Sequence, residues 1–195
     1  MEHYYIKETN TLSDEKLRHI KINDLSFDFL TDNAVFSKKG LDFGTRTLLE
    51  SLKELKGSVL DIGCGYGPIG IYIKTKYDTD VTMSDINKRA LKLAMKNCCL
   101  NKVKCTIIES DMYENITEKY DYIVSNPPIR IGKNLLYEML FKAKEHLKEN
   151  GSLIIVVNKN QGAKTLIKDL SQAYQVSVIN KNKGFYVILA KTIKN

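Results

Sequence analysis

Tryptophan is absent, and proline occurs only at positions 68, 127 and 128 of 195. Cysteine is scarce as well. Cys64, Cys98, Cys99 and Cys105 form no C-x-x-C pair and the three histidines are scattered, so no metal site is expected and the thiols are read as free and reduced. No apolar run approaches the roughly 20 residues that a membrane span requires. Met1-Glu2-His3-Tyr4-Tyr5 lacks the charged-then-apolar pattern of a leader, so a cytoplasmic location without a membrane partner is expected. A G-x-x-x-x-G-K-[ST] phosphate loop is also missing, which excludes the usual nucleoside-triphosphate cradle. Acidic residues are the minority charge, 23 against 30 Lys and Arg, and the net charge of +7 favours polyanionic partners such as nucleic acid. No repeat, low-complexity tract or linker divides the chain, whose length suits one domain over residues 1–195 and a monomer.

The chain opens on a polar arm, residues 1–16. His19–Ile22 and Leu25–Leu30 then alternate apolar with polar across Asn23-Asp24, a β-hairpin signal, read as an accessory element. Residues 32–45 read as a structured loop, so that residues 1–45 form an arm, hairpin and covering loop ahead of a core at 46–195. Thr45 is the expected cap of a helix over Arg46–Leu55. Next come a strand at Ser58–Ile62, a glycine-rich turn at 63–70 and a helix at Ile69–Tyr77. Val81–Ser84 is a strand ending at Asp85, and Asn87 caps a helix to about Cys99. Strands at Val103–Ile108 and Tyr120–Ser125 precede a long helix, Asn134–Lys148, which Asn150-Gly151 should close. Leu153–Val157 is apolar on both faces and so interior. A helix at Ala163–Ala173 and strands at Val176–Ile179 and Phe185–Ala190 finish the chain. Lys181–Gly184 is too short for a crossover, which makes the last pair antiparallel. The fold class is α/β: a doubly wound, Rossmann-like sheet with helices on both faces, plus the N-terminal hairpin.

Open sheets of this kind bind ligands at the carboxyl ends of their strands. Four such ends carry polar residues: Asp61 with the glycine turn, Asp85, Ser110-Asp111, and Asn126. The glycines at 63, 65, 67 and 70 leave Pro68 where a dinucleotide loop needs its last glycine. A G-x-G-x-G turn lets backbone approach a compact ligand. Asp85 can take two ribose hydroxyls and Asp111 an adenine amino group, which suits an adenosine with an amino-acid tail. Asp85 could also serve the following helix as a cap, and Asp111 a turn. Asn126-Pro127-Pro128 follows a strand and stops further pairing. It offers one amide side chain and carbonyls with no competing N–H, a pattern able to hold a planar NH2 group. An ordinary strand-ending turn reads the same in isolation.

The run Val59–Gly67 resembles motif I of class I S-adenosylmethionine-dependent methyltransferases, and Asn126-Pro127-Pro128 resembles the N-P-P motif of enzymes that methylate planar amino nitrogens. Thr31–Lys38, Asp42–Thr45, Asn126–Arg130 and Lys159–Ala163 look like the small-methyltransferase family, which includes bacterial 16S rRNA guanine-N2 methyltransferases. The resemblance runs from about residue 20 to the end and matches the catalytic half of two-domain members. It implies a seven-stranded sheet with the last strand antiparallel. S-adenosyl-L-methionine is the implied cofactor, S-adenosyl-L-homocysteine the product, and ribosomal RNA or the small ribosomal subunit the partner. Phe36, Lys38, Asp42, Gly44 and Thr45 would enclose the cofactor, together with Asp61, Gly63, Cys64, Gly65, Gly67, Asp85, Ile86, Asp111, Met112 and Asn126. Asn126, Pro127 and Pro128 would be catalytic. Ile129, Arg130, Lys133, Lys159 and Gln161 would meet the substrate, with Lys164 near the same rim. Ile129 departs from the aromatic residue that many N-P-P enzymes carry there. Adenine N6 and a protein glutamine amide remain open as targets, as does a non-catalytic cofactor- and RNA-binding module. Pro68 and the N-P-P stretch disfavour a nicotinamide enzyme.

Overall fold

The computed structural model describes residues 13–32, 40–128 and 132–193. Two-residue alternation produces strands β1 (Lys16–Ile22) and β2 (Leu25–Thr31), paired antiparallel from Ile22↔Leu25 to Lys16↔Thr31. Ile20, Ile22, Phe27 and Phe29 all point inward and join the main hydrophobic core. The hairpin is therefore built into the core rather than accessory.

Helix α1 covers Phe43–Ser51. Its cap is Asp42, whose carboxylate accepts the Thr45 N–H at 3.0 Å; Thr45 itself lies inside the first turn. The helix stops at Ser51 because Leu52 turns extended, and Leu52 and Leu55 still bury their side chains from that extended segment. Leucine spacing alone could not separate the two conformations. Strand β3 (Ser58–Ile62), helix α2 (Pro68–Tyr77), strand β4 (Asp80–Asp85) and helix α3 (Lys88–Leu100) follow. Pro68 occupies the first turn of α2, where its missing N–H costs nothing. Strand β5 is limited to Thr106–Glu109, since the Val103 N–H closes α3 onto the Cys98 carbonyl.

Strand β6 is Tyr120–Ser125 and helix α4 is Lys133–Lys142. The long helix expected to Lys148 ends early in a 3-10 turn, Ala143–His146, and strand β7 runs Leu147–Asn158. Asn150, at φ 65°, and Gly151 belong to an irregularity where β7 shifts register against β6, not to a helix end. A Cβ on Gly151 would stand 2.9–3.2 Å from three backbone carbonyls, so glycine is demanded there by the sheet. Helix α5 spans Ala163–Leu170, shorter than the segment to Ala173, and strands β8 (Tyr174–Asn182) and β9 (Phe185–Thr192) end the described chain.

The seven-stranded sheet has the order β5-β4-β3-β6-β7-β9-β8. All neighbouring pairs are parallel except those made by β9, which is antiparallel to both β7 and β8. One face packs on α1, α2, α3 and the hairpin, through residues such as Val59, Val124 and Val156. Leu60, Ile123 and Ile155 point the other way, onto α4 and α5. Chain order reverses between β3 and β6, which opens the sheet's ligand crevice beside those two strands. Among the described residues, no helix is long and apolar enough to cross a membrane.

Candidate active site

The glycine turn hangs from the end of β3. The N–H groups of Gly63 and Cys64 both donate to the Ser84 carbonyl on β4, at 2.8 and 2.9 Å, and Gly67 N–H closes on the Cys64 carbonyl. Gly63 and Gly65 take φ of 70° and 56°, values that suit glycine. A Cβ at either position would meet nothing within 4 Å, so their backbone faces open space. Gly67 differs: a Cβ there would press on Ile71 and Ala94, at 3.2 and 3.3 Å, so its role is packing.

Two carboxylates flank this turn. Asp61 is fully buried; its Oδ2 accepts the Gly70 N–H at 2.9 Å, and its Oδ1 has no hydrogen-bond partner. Burial pushes its pKa up to about 8, against the Gly70 bond and with the Asp85 charge adding to the rise. Burial likewise pushes the Cys64 thiol up, with the same two carboxylates reinforcing it. Asp85 accepts from Gly65 N–H through Oδ2 and from Asn87 N–H through Oδ1, both at 2.9 Å. Its carboxyl is turned inward and raised by burial, which the backbone donors partly oppose. The cap of α3 is Asn87, which accepts from Arg89 and Ala90. Asp85 therefore latches the glycine turn, and its oxygens keep lone pairs for a ligand. Ile86 is half-buried beside it. Asp111 is exposed in the turn after β5, where its carbonyl accepts the Glu114 N–H, and Met112 follows at φ 45°. The Ser110 N–H ties this turn to the Asp85 carbonyl at 3.1 Å.

Asn126 stands one residue past β6, the fourth strand of seven. Ser125 anchors that end by donating its hydroxyl to the Ile62 carbonyl at 2.7 Å. Pro127 is buried and Pro128 half-buried. The Asn126 Nδ2 lies 2.9 Å from Thr45 Oγ1 and 3.3 Å from Asp42 Oδ1. Thr45 donates its hydroxyl to Asp42 Oδ2 at 2.5 Å, so its oxygen can only accept from Asn126. This network fixes the amide's orientation: NH2 toward α1, and the carbonyl oxygen away from it. Asp42 and Thr45, expected to enclose the cofactor, are thus placed against Asn126.

Gly44 sits in the same turn, and a Cβ on it would stand 2.8 Å from the Phe185 ring. Phe36, Lys38, Ile129 and Arg130 lie outside the described residues. Lys133 is exposed at the start of α4 with its Nζ 4.9 Å from the Tyr137 ring centre. Lys159 and Gln161 occupy a 3-10 turn at the end of β7. Gln161 Oε1 accepts the Asn158 N–H while Asn158 caps the turn, so Gln161 has a local structural task. Lys164 is exposed on α5. One residue was missed. Asn97, fully buried, donates to the carbonyls of Leu30 and Tyr66 and accepts the Leu30 N–H at 2.7 Å, joining hairpin to glycine turn. Its signal was an amide on the apolar face of α3.

The arrangement suits a compact cationic adenosine derivative: an open glycine cradle, an unpartnered buried carboxyl oxygen at Asp61, and free lone pairs at Asp85. Comparison with known proteins agrees with that chemistry. Residues 26–189 match the methyltransferase small domain family. The chain is 39% identical over 199 residues to the uncharacterized protein YbxB of Bacillus subtilis, an alignment covering 98% of this chain and 99% of that one. It is 36% identical over 202 residues to ribosomal RNA small subunit methyltransferase C of Pasteurella multocida, covering 98% of this chain and 57% of the relative. Against this enzyme and its Actinobacillus pleuropneumoniae counterpart the chain spans 57% and 50% of their length, about half. Among solved structures, the T. thermophilus 16S rRNA N2 G1207 methyltransferase in complex with AdoMet and guanosine superposes with a TM-score of 0.81 at 22% identity. That superposition covers 92% of this chain and 51% of that one, and establishes the common fold. With the family matched across most of its length, the chain belongs to the methyltransferase small domain family of S-adenosylmethionine-dependent methyltransferases.

Proposed function

We propose that this chain methylates an exocyclic amino nitrogen of a nucleobase, with guanine N2 in 16S ribosomal RNA as the target. The observation that carries this reading is the fixed amide of Asn126. Its NH2 is consumed by Thr45 and Asp42, so its oxygen is the atom left to accept from a substrate. S-adenosyl-L-methionine, when bound, supplies an activated methyl group for in-line displacement. Gly63 and Gly65 offer it an unobstructed backbone surface, Asp85 offers carboxylate oxygens to its hydroxyl groups, and Asp61 offers a buried carboxyl whose proton a cationic group would displace. An exocyclic amine is a poor nucleophile because its lone pair is delocalised into the ring. Asn126 Oδ1 and the Pro127 carbonyl accept its two N–H bonds, which draws the nitrogen toward tetrahedral geometry and aims the lone pair. Positioning of this kind contributes several kcal/mol, on the order of 3 per well-aimed polar group. No strong base is required: the C–S bond breaks to release S-adenosyl-L-homocysteine, and the methylated nitrogen, now cationic and strongly acidic, loses one proton to water.

Ribosomal RNA as the substrate is supported by the relatives named as small-subunit rRNA methyltransferases and by the +7 net charge. A base within folded RNA must be flipped out to enter such a crevice. The test is transfer of labelled methyl to unmodified small subunits, naked 16S rRNA, duplex DNA and a protein extract in parallel, followed by nucleoside analysis. N2-methylguanosine in the small-subunit RNA is expected. Label confined to DNA or protein would reject the RNA assignment while leaving the chemistry at Asn126 in place.

A further inference from the structure

The sheet divides the site into two halves about β6. The glycine turn, Asp61 and Asp85 stand on β3 and β4, and β7, β9 and β8 lie on the opposite side. Ser125 pairs with Ile155, and β7 then continues to Asn158, which pairs with Phe185 at the start of β9. The turn between β8 and β9 therefore rises beyond Asn126, on the side away from the glycine turn. Phe185 reaches back from that turn to α1. Its ring edge lies 2.8 Å from the Cβ position of Gly44, and Asp42 Oδ1 lies 3.1 Å from the same point. Only glycine leaves room for the ring against the helix turn that orients Asn126. Phe43 adds a second ring, 5.7 Å from Phe185 between centres and tilted by 51°. Both rings are half-buried, so each keeps an open surface.

Two lysines frame these rings. Lys183 places its Nζ 5.2 Å from the Phe43 ring centre. The Lys159 backbone N–H donates to the Gly184 carbonyl at 2.7 Å, and its side-chain carbons stand 3.5–3.6 Å from the point a Cβ on Gly184 would occupy. Both residues are exposed. Among the described residues no carboxylate forms an ion pair with either, in contrast to Lys96, which pairs with Glu15, and Lys148, which pairs with Asp121.

We infer that Phe43 and the β8–β9 turn form the wall that holds the target nucleotide: Phe185 lies against the base, and Lys159 and Lys183 take the flanking phosphates. Aromatic rings accept any base face, and lysines grip the backbone without reading sequence. This wall rests on the nucleobase reading given above and extends it to residues outside the glycine turn and the N-P-P stretch.

The chain has no tryptophan, so Phe185→Trp supplies a single tryptophan that can be excited apart from the 11 tyrosines. Its emission should change on addition of naked 16S rRNA over the same concentrations that saturate methyl transfer. Phe185→Leu keeps apolar bulk on Gly44 but loses the ring. It should raise KM for RNA about tenfold or more, with the melting-temperature rise from S-adenosylhomocysteine unchanged. Lys159→Ala with Lys183→Ala should reduce the steepness of RNA binding against salt by roughly one unit per lysine. Wild-type protein assayed alongside separates the two levels of the argument. If it methylates RNA while Phe185→Leu keeps its KM, or the Phe185→Trp emission stays constant, the wall is overturned and the RNA reading stands. If wild-type protein labels only protein, the nucleobase reading and the wall fall together; label only in DNA rejects the RNA reading, and an unchanged KM for DNA in Phe185→Leu then overturns the wall.

Discussion

The side-chain nitrogen of Asn126 lies 2.9 Å from the hydroxyl oxygen of Thr45, whose hydrogen is already given to Asp42. A helix cap and a strand end thus form one device, in which α1 sets the direction of the amide on β6. Asn126→Ala should cut kcat by on the order of a hundredfold, and Thr45→Ala by about tenfold. The S-adenosylhomocysteine-induced rise in melting temperature should persist in both. A collapse of that rise in Thr45→Ala, with kcat at saturating cofactor intact, would mean that Thr45 serves the cofactor's enclosure and not the orientation of Asn126.

Gly65 combines a left-handed backbone with open space at its Cβ position. Gly65→Ala adds a methyl group where backbone must approach the cofactor, and strains φ by on the order of 1 kcal/mol. The apo protein should therefore melt only slightly lower, while isothermal titration shows S-adenosylhomocysteine affinity reduced at least tenfold. Undiminished affinity would show that the cofactor does not touch this turn.

Asp61 gives stability a pH dependence with a definite sign. Its folded pKa of about 8 stands above the unfolded value of 3.8, so between those values the folded chain holds a proton that the unfolded chain has released. The contribution is complete below about pH 4 and is lost as pH rises through about 8. Compared with Asp61→Asn, which cannot titrate, the wild-type protein without ligand should lose melting temperature between about pH 4 and 8 and level off above that. Parallel curves for the two proteins would show that burial does not hold Asp61 protonated.

Asn97 completes the edge of β2 with its side-chain amide and reaches the Tyr66 carbonyl in the glycine turn. Asn97→Ala removes its hydrogen bonds to the backbone groups of Leu30 and Tyr66 and should cost about 3 kcal/mol in urea unfolding. Hydrogen exchange should quicken in β1–β2 and the glycine turn together. Faster exchange in the hairpin alone would mean that the two are not coupled through this side chain.

Much of the fold was legible because its signals are local. The hairpin, the strand–glycine turn–helix unit, the Asn87 cap and the antiparallel final pair each rest on spacing within a few residues. Helix ends were less legible. Leu52 and Leu55 bury from an extended segment as well as from a helix, and Leu147 begins a strand where the apolar period still suggested helix. In both places burial is a tertiary property that two local conformations satisfy equally.

The chemical inventory is written in the residues alone: a glycine turn unsuited to a dinucleotide, carboxylates at successive strand ends, and an amide set before two prolines. Those properties follow from covalent limits on glycine and proline and from the alternation of strand residues. Which of these members cooperate depends instead on how the chain packs. Asp42 and Asn126 are 84 residues apart in the chain and meet because α1 packs its N-terminus against the end of β6. Phe185 reaches Gly44 because the missing Cβ leaves that space, and Asp61 gains its raised pKa because packing removes water from it. Contacts of this kind depend on how layers close over one another, and no local pattern encodes them.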